Sequence, residues 1–161
     1  MQLDLRTVKH QVGACLPFSF ALSVADVEPT VPGPVSVQGE VRNRAGYLIV
    51  SMSMEAEVHT VCDRCAESVC RKQTASFEAA LVDHIEGEED DSIIVCEHDM
   101  FEPDELARAT FLLELPSKNL CREDCKGLCP QCGANWNTST CSCRSGAVDP
   151  RLAKLAALLD E

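Results

Sequence analysis

The sequence predicts an α+β fold. Its body is antiparallel and β-rich, a sheet or an open barrel. One helix precedes a C-terminal cysteine-rich segment and another follows it. Three observations carry this reading: apolar residues alternate with period two through much of the first 82 residues, helix-start signals stand at Pro103 and at Asp149-Pro150, and six of the eleven cysteines fall between residues 121 and 143.

The elements follow in chain order. Residues 1–27 read as extended, with Leu16, Phe18, Phe20, Leu22 and Val24 alternating against Pro17, Ser19, Ala21 and Ser23. Pro29, Pro32, Gly33 and Pro34 mark a linker or long turn. Val35, Val37 and Val41 begin a second strand, and Asn43 to Gly46 form a turn. Val50, Met52, Met54, Ala56 and Val58 then alternate with Ser51, Ser53, Glu55, Glu57 and His59. That strand runs into Cys62-Asp63-Arg64-Cys65, and Phe77, Ala79 and Leu81 share a face of the next. The first cysteine pair therefore sits at a hairpin turn. Glu86 to Asp91 read as a solvated acidic loop, and Ile93 to Cys96 as one more short strand.

Pro103 opens a helix, with Asp104 and Glu105 in its first turn and Leu106, Ala109 and Leu113 as its expected buried face. Leu115-Pro116 ends it. Asp149 caps a last helix, with Pro150 at its first position and Leu152, Leu155, Ala156 and Leu159 on one face. The expected division is a body at 1–115, a cysteine-rich segment at 116–146 and a terminal amphipathic helix at 147–161.

Short C-x2-C, C-x3-C and C-x-C spacings let several thiolates converge on one small cation, which is how structural zinc sites are written in sequence. Cys129-Pro130-Gln131-Cys132-Gly133 is the strongest local signal, since Pro fixes the turn and Gly permits a positive φ after it. A disulfide framework is the competitor. It needs an oxidising compartment, and the alternation at residues 15–25 is a half-buried strand, not the apolar core of a secretory signal. Reduced, metal-bound cysteines in the cytoplasm are expected. No apolar run is long enough to span a membrane.

Proximity groups Cys129, Cys132, Cys141 and Cys143 around one Zn²⁺. Cys62, Cys65, Cys121 and Cys125 are left for a second, stapling the hairpin tip to the segment after the helix. A rival grouping places Cys121, Cys125, Cys129 and Cys132 on one ion. Cys15, Cys70 and Cys96 lack short-spaced partners and read as small buried hydrophobes. His59, three residues before Cys62, reads as an exposed strand histidine and otherwise as a substitute ligand.

All-cysteine tetrads are closed, whereas catalytic zinc keeps an open position, so the residues argue against an enzyme. His84-Ile85-Glu86 matches the first half of the zinc deaminase signature, but Pro130 lies inside a cysteine pair rather than before one. No nucleophile elbow, phosphate-binding loop or dinucleotide fingerprint appears, and no small-molecule substrate is evident. The formal charge is −12, which opposes binding to naked nucleic acid and favours basic partners. A redox-responsive zinc–thiolate switch or chaperone-like protein is the alternative reading.

Leu115-Pro116, Cys121-x3-Cys125, Lys126 to Gly133, Asn135, Asn137, Cys141-x-Cys143 and Asp149-Pro150-Arg151-Leu152 form an ordered set. Together with Cys62-Asp63-Arg64-Cys65 it resembles the YceD-type large ribosomal RNA subunit accumulation proteins, over nearly the whole chain. Trp136 stands where an aliphatic residue is common, and Ala66 departs similarly. The resemblance implies a role in accumulation or processing of large-subunit rRNA. It also implies that the first cysteine pair joins residues near 121 and 125, because some members lack the later cluster. A factor of this kind could meet ribosomal RNA through Arg64, Arg71 and Lys72 or through Arg122, Lys126 and Arg144. Alternatively, its acidic surface could hold a basic ribosomal protein of the large subunit.

Overall fold

The computed structural model describes residues 1–84 and 92–143. Five strands form the main sheet. They are β2 (Cys15–Leu22), β3 (Val35–Arg44), β4 (Tyr47–Val61), β5 (Ser68–Val82) and β6 (Ile93–Val95), adjacent in that order. The first four pair antiparallel, while β6 runs parallel to β5. Two short strands, β1 (Leu3–Asp4) and β7 (Met100–Phe101), pair with each other, and helix α2 spans Pro103–Leu113. The expected antiparallel-rich body and the helix before the cysteine segment are both present. The acidic run at 86–91 and the helix expected from Asp149 lie outside the described residues. Among the described residues no helix is long and apolar enough to cross a membrane.

Local chemistry explains the hairpins. Ala45 and Gly46, both at positive φ (53° and 95°), make the two-residue loop between β3 and β4, whose twist suits a tight hairpin. Asn43 is buried there but satisfied: its Nδ2 donates to the carbonyls of Val8 and Lys9 at 2.9 Å, and its Oδ1 accepts from the Gly46 N–H at 3.0 Å. Gly39 lets β3 pass under its neighbours, since a Cβ there would stand 2.5 Å from the Phe18 ring and 2.7 Å from the Ser51 carbonyl oxygen.

The inner face of the sheet supplies Val35, Val37, Val41, Val50, Met52, Met54 and Val58 to one core, which also takes Ala107 and Phe111 of α2. β4 and β5 pair without interruption from Leu48↔Leu81 to Val61↔Ser68. Burying one face of so long a ladder holds its register, because a one-residue slip would turn every apolar side chain outward. The hairpin thus carries its tip well beyond the core.

Three expectations need correction. Residues 6–9 form a helical turn, α1 (Arg6–Lys9), within the stretch read as extended. Asp4 accepts the Arg6 N–H at 3.0 Å, and Leu5 and Val8 turn into the core; four residues are too few for periodicity to show. Helix α2 buries Pro103, Ala107 and Phe111, not Ala109 and Leu113, and Leu113 is 84 % exposed. The Phe111 ring takes the deep position, and the i, i+4, i+8 stripe through it rotates the helix away from the expected face. Cys15 and Cys70 are exposed, and only Cys96 of the three lone cysteines is buried. Parity decides: Phe18 facing inward sends Cys15 outward, and Ala75, Ala79 and Leu81 facing inward send Cys70 outward.

Candidate metal centre

The tip of the β4–β5 hairpin and the segment after α2 build the site together. Cys62, Cys65, Cys121 and Cys125 have their sulfurs within 4.8 Å of one another, and so do Cys129, Cys132, Cys141 and Cys143. These are the two tetrads that proximity grouped; the rival set of Cys121, Cys125, Cys129 and Cys132 is not brought together. His59 belongs to neither.

Local backbone explains each half-site. At the tip, the Cys62 N–H donates to the Glu67 carbonyl at 2.8 Å, and the Ala66 N–H to the Cys62 carbonyl at 2.8 Å. Ala66 takes φ +58°, so the chain reverses within four residues. In the second half-site the Cys129 N–H reaches the Ala134 carbonyl at 2.8 Å, and the Gly133 N–H returns to the Cys129 carbonyl at 2.9 Å. Gly133 sits at φ +73°, the positive φ expected after this cysteine pair.

Such turns aim backbone N–H groups at sulfur. Burial pushes the Cys62 thiol up, but N–H groups of Cys121, Arg64 and Cys65 outweigh it and bring its pKa down to about 6. N–H groups of Cys132 and Gln131 draw Cys129 down to about 7 against the opposing effect of burial. Cys65 and Cys143, in contrast, resist ionisation. The Glu67 N–H favours the Cys65 thiolate, yet burial and the neighbouring thiols push this group up to about 12. Hydrogen bonding with Cys132, followed by burial, takes Cys143 up to about 12. Crowding four thiols makes successive charges costly, and a divalent cation at their centre reverses that cost.

The donor geometry fits a metal. A tetrahedral ion with metal–sulfur bonds of about 2.3 Å needs sulfurs about 3.8 Å apart. Cys62 and Cys125 sulfurs lie 3.8 Å apart, and those of Cys65 and Cys121 lie 3.6 Å apart. A disulfide needs about 2.05 Å, and every cysteine is free. Two cysteine tetrads are thus placed to hold metal ions.

The segment grips the tip through more than sulfur. The Asp63 N–H donates to the Asn119 carbonyl at 2.8 Å, and the Asp63 carboxylate accepts the Asn119 N–H at 2.6 Å. Arg64 donates to the Cys125 carbonyl at 2.8 Å while its own carbonyl accepts the Leu128 N–H at 3.1 Å. Asn135 reaches across to the Glu67 carboxylate at 2.8 Å. Cys62, Cys65 and Cys125 form a small buried cluster of their own, flanked by Val69 and Leu120.

Most of the basic side chains named as RNA candidates are engaged within the protein. Arg64 bonds the segment, Arg71 donates to Asn119 Oδ1, Lys72 pairs with Glu55 at 2.6 Å, and Arg122 meets Asp124 at 3.3 Å and Asn137 at 2.8 Å. Arg144 lies outside the described residues. Of the apparent deaminase half-motif, Ile85 and Glu86 lie outside as well.

The profile of the family described as "Large ribosomal RNA subunit accumulation protein YceD" matches residues 50–159, which include all eight tetrad cysteines. The chain belongs to the YceD family. "Uncharacterized protein YlbN" of Bacillus subtilis is 28% identical over 130 residues, which cover 80% of this chain and 76% of that protein. Uncharacterized proteins of Mycobacterium tuberculosis and Mycobacterium bovis are each 51% identical over 47 residues, covering 29% of this chain and 22% of theirs. The chain thus aligns with under a quarter of those mycobacterial proteins. No solved structure matches. The YceD description ties the family to the large ribosomal subunit. Asn137, in sequence only one position of a motif, is brought by tertiary structure to within 3.3 Å of the Cys125 sulfur, to which its Nδ2–H donates.

Proposed function

We propose that this YceD-family chain is a non-enzymatic factor for large ribosomal subunit assembly, in which two zinc ions fix the shape of a partner-binding end. The family description is the observation that carries the ribosomal part of this reading. The metal part rests on two all-sulfur donor sets, which suit zinc in a reduced, cytoplasmic setting. Cys62, Cys65, Cys121 and Cys125 would hold one ion, and Cys129, Cys132, Cys141 and Cys143 the other. Zinc, when bound, supplies a four-way cross-link with no open coordination position. The protein's own part is to present thiolates, aim N–H groups at them and bury them. On this reading residues 1–115 are the body, 116–146 the binding segment and 147–161 a terminal helix.

Between RNA and protein as direct partner, the observations favour a basic ribosomal protein of the large subunit. Arg64, Arg71, Lys72 and Arg122 each have a partner within the chain, and the net charge is −12. Crosslinking in growing cells, read for both RNA and protein, tests this. The expected adduct is a large-subunit ribosomal protein, and depletion should lower mature large-subunit rRNA relative to small-subunit rRNA. An unchanged ratio with no ribosomal adduct would favour the redox reading instead. That reading has one supporting observation: each tetrad keeps one exposed sulfur-bearing residue, Cys121 or Cys132.

A further inference from the structure

Beyond the tetrads, one cluster of ligating side chains stands on the solvent face of the β4–β5 ladder. Glu57 and His59 lie two residues apart on β4, and so share that face. Cys70 on β5 is the register partner of His59. The His59 N–H points away from β5, to the Thr30 carbonyl at 2.7 Å. His59 and Cys70 are therefore a non-hydrogen-bonded pair, the kind whose side chains stand closest, with Cα atoms about 4.5 Å apart. His59 Nε2 lies 3.6 Å from Glu57 Oε2. Lys72, opposite Glu57, pairs with Glu55 at 2.6 Å.

We propose that Glu57, His59 and Cys70 form a third, open metal site for one borderline divalent ion such as Zn²⁺ or Co²⁺. The three ligand atoms already lie within 4.8 Å of one another. Bonds of about 2.0–2.3 Å need them about 3.3–3.8 Å apart, a change of rotamer for side chains that all face solvent. The backbone needs no change, because the ladder is continuous on both sides of the pair. Imidazole, thiolate and carboxylate together suit a borderline ion better than a hard one such as Mg²⁺. Three protein ligands leave a coordination position open, so this site exchanges its ion where the closed tetrads do not. Binding releases the Cys70 thiol proton to water, and nothing is oxidised. His59 stands three residue steps before Cys62, about 10 Å along the strand, so the open site adjoins the first tetrad.

The test compares the reduced full chain with its Cys70→Ser and His59→Ala variants. Both positions are exposed, so the variants should fold like the parent. In equilibrium dialysis against Zn²⁺, the parent should hold one equivalent more than either variant, whatever the tetrads hold. Each variant should weaken that equivalent by at least about tenfold. Adding Co²⁺ to the zinc-loaded parent should produce a thiolate-to-cobalt absorption band that Cys70→Ser abolishes. Equal metal counts in all three chains, or a band that survives Cys70→Ser, would overturn the proposal.

Discussion

Asn137 donates its Nδ2–H to the Cys125 sulfur at 3.3 Å, so a residue from the loop of the second tetrad stabilises a thiolate of the first. Its Oδ1 accepts the Lys126 N–H and an Arg122 N–H, both at 2.8 Å. Burial pushes the Cys125 thiol up, and the Asn137 bond is the leading influence that turns the shift downward. The tetrads are therefore coupled through one amide.

Asn137→Ala should speed metal loss from the first tetrad. A hydrogen bond to a charged group contributes about 1.5–3 kcal/mol, so release should quicken by roughly tenfold or more. Chelator competition measures this, and an unchanged rate would show that the amide is dispensable.

Gly127→Ala should loosen the grip of the segment on the hairpin tip. Gly127 has φ +77°, and an added Cβ would stand 3.0 Å from the Arg64 carbonyl oxygen, which accepts the Leu128 N–H. The left-handed backbone alone costs a non-glycine residue about 1–2 kcal/mol. Proteolysis between residues 117 and 128 should become faster while the sheet core stays protected.

Cys62→Ser and Cys141→Ser should differ. Cys62 is 2 % exposed and ties the tip to residues 119–128, whereas Cys141 is partly buried and closes only the later loop. By hydrogen exchange, Cys62→Ser should deprotect both the tip and the segment. Cys141→Ser should act mainly on residues 129–143, with a smaller effect at Cys125 through Asn137. The core around Val37, Met54 and Phe111 contains no tetrad cysteine and should keep its protection in both.

Much of this was legible in the chain because it is written locally. Period-two alternation located β2 to β5, and short cysteine spacings located the four cysteine pairs, ranking the observed grouping above its rival without deciding between them. What escaped depends on tertiary packing. The four residues of α1 are shorter than two helical turns, and the rotation of α2 is set by where the Phe111 ring fits. The parallel pairing of β6 with β5 is a tertiary contact, on which alternation is silent. The outward turn of Cys70, by contrast, could have been read from the parity of Ala79 and Leu81.

Acid should release the metal. Thiolate ligands must be deprotonated, so protons compete as pH falls. In the metal-free sites Cys62, at about 6, is mostly thiolate at neutral pH and Cys129, at about 7, is divided between thiol and thiolate, and both become thiols as pH drops below those values. Metal retention should be full near neutrality and decline on acidification with uptake of protons. Monitoring bound zinc along a pH titration checks the sign; retention that improved with acid would contradict it.

The most direct measurement is zinc-edge X-ray absorption with metal analysis. It should use reduced protein carrying Cys70→Ser, which removes the proposed open site. Two closed tetrads predict about two zinc ions per chain, each with four sulfur neighbours at about 2.3 Å and no lighter atom in the first shell. Fewer than about one zinc in folded, reduced protein, or nitrogen or oxygen among the ligands, would contradict the account.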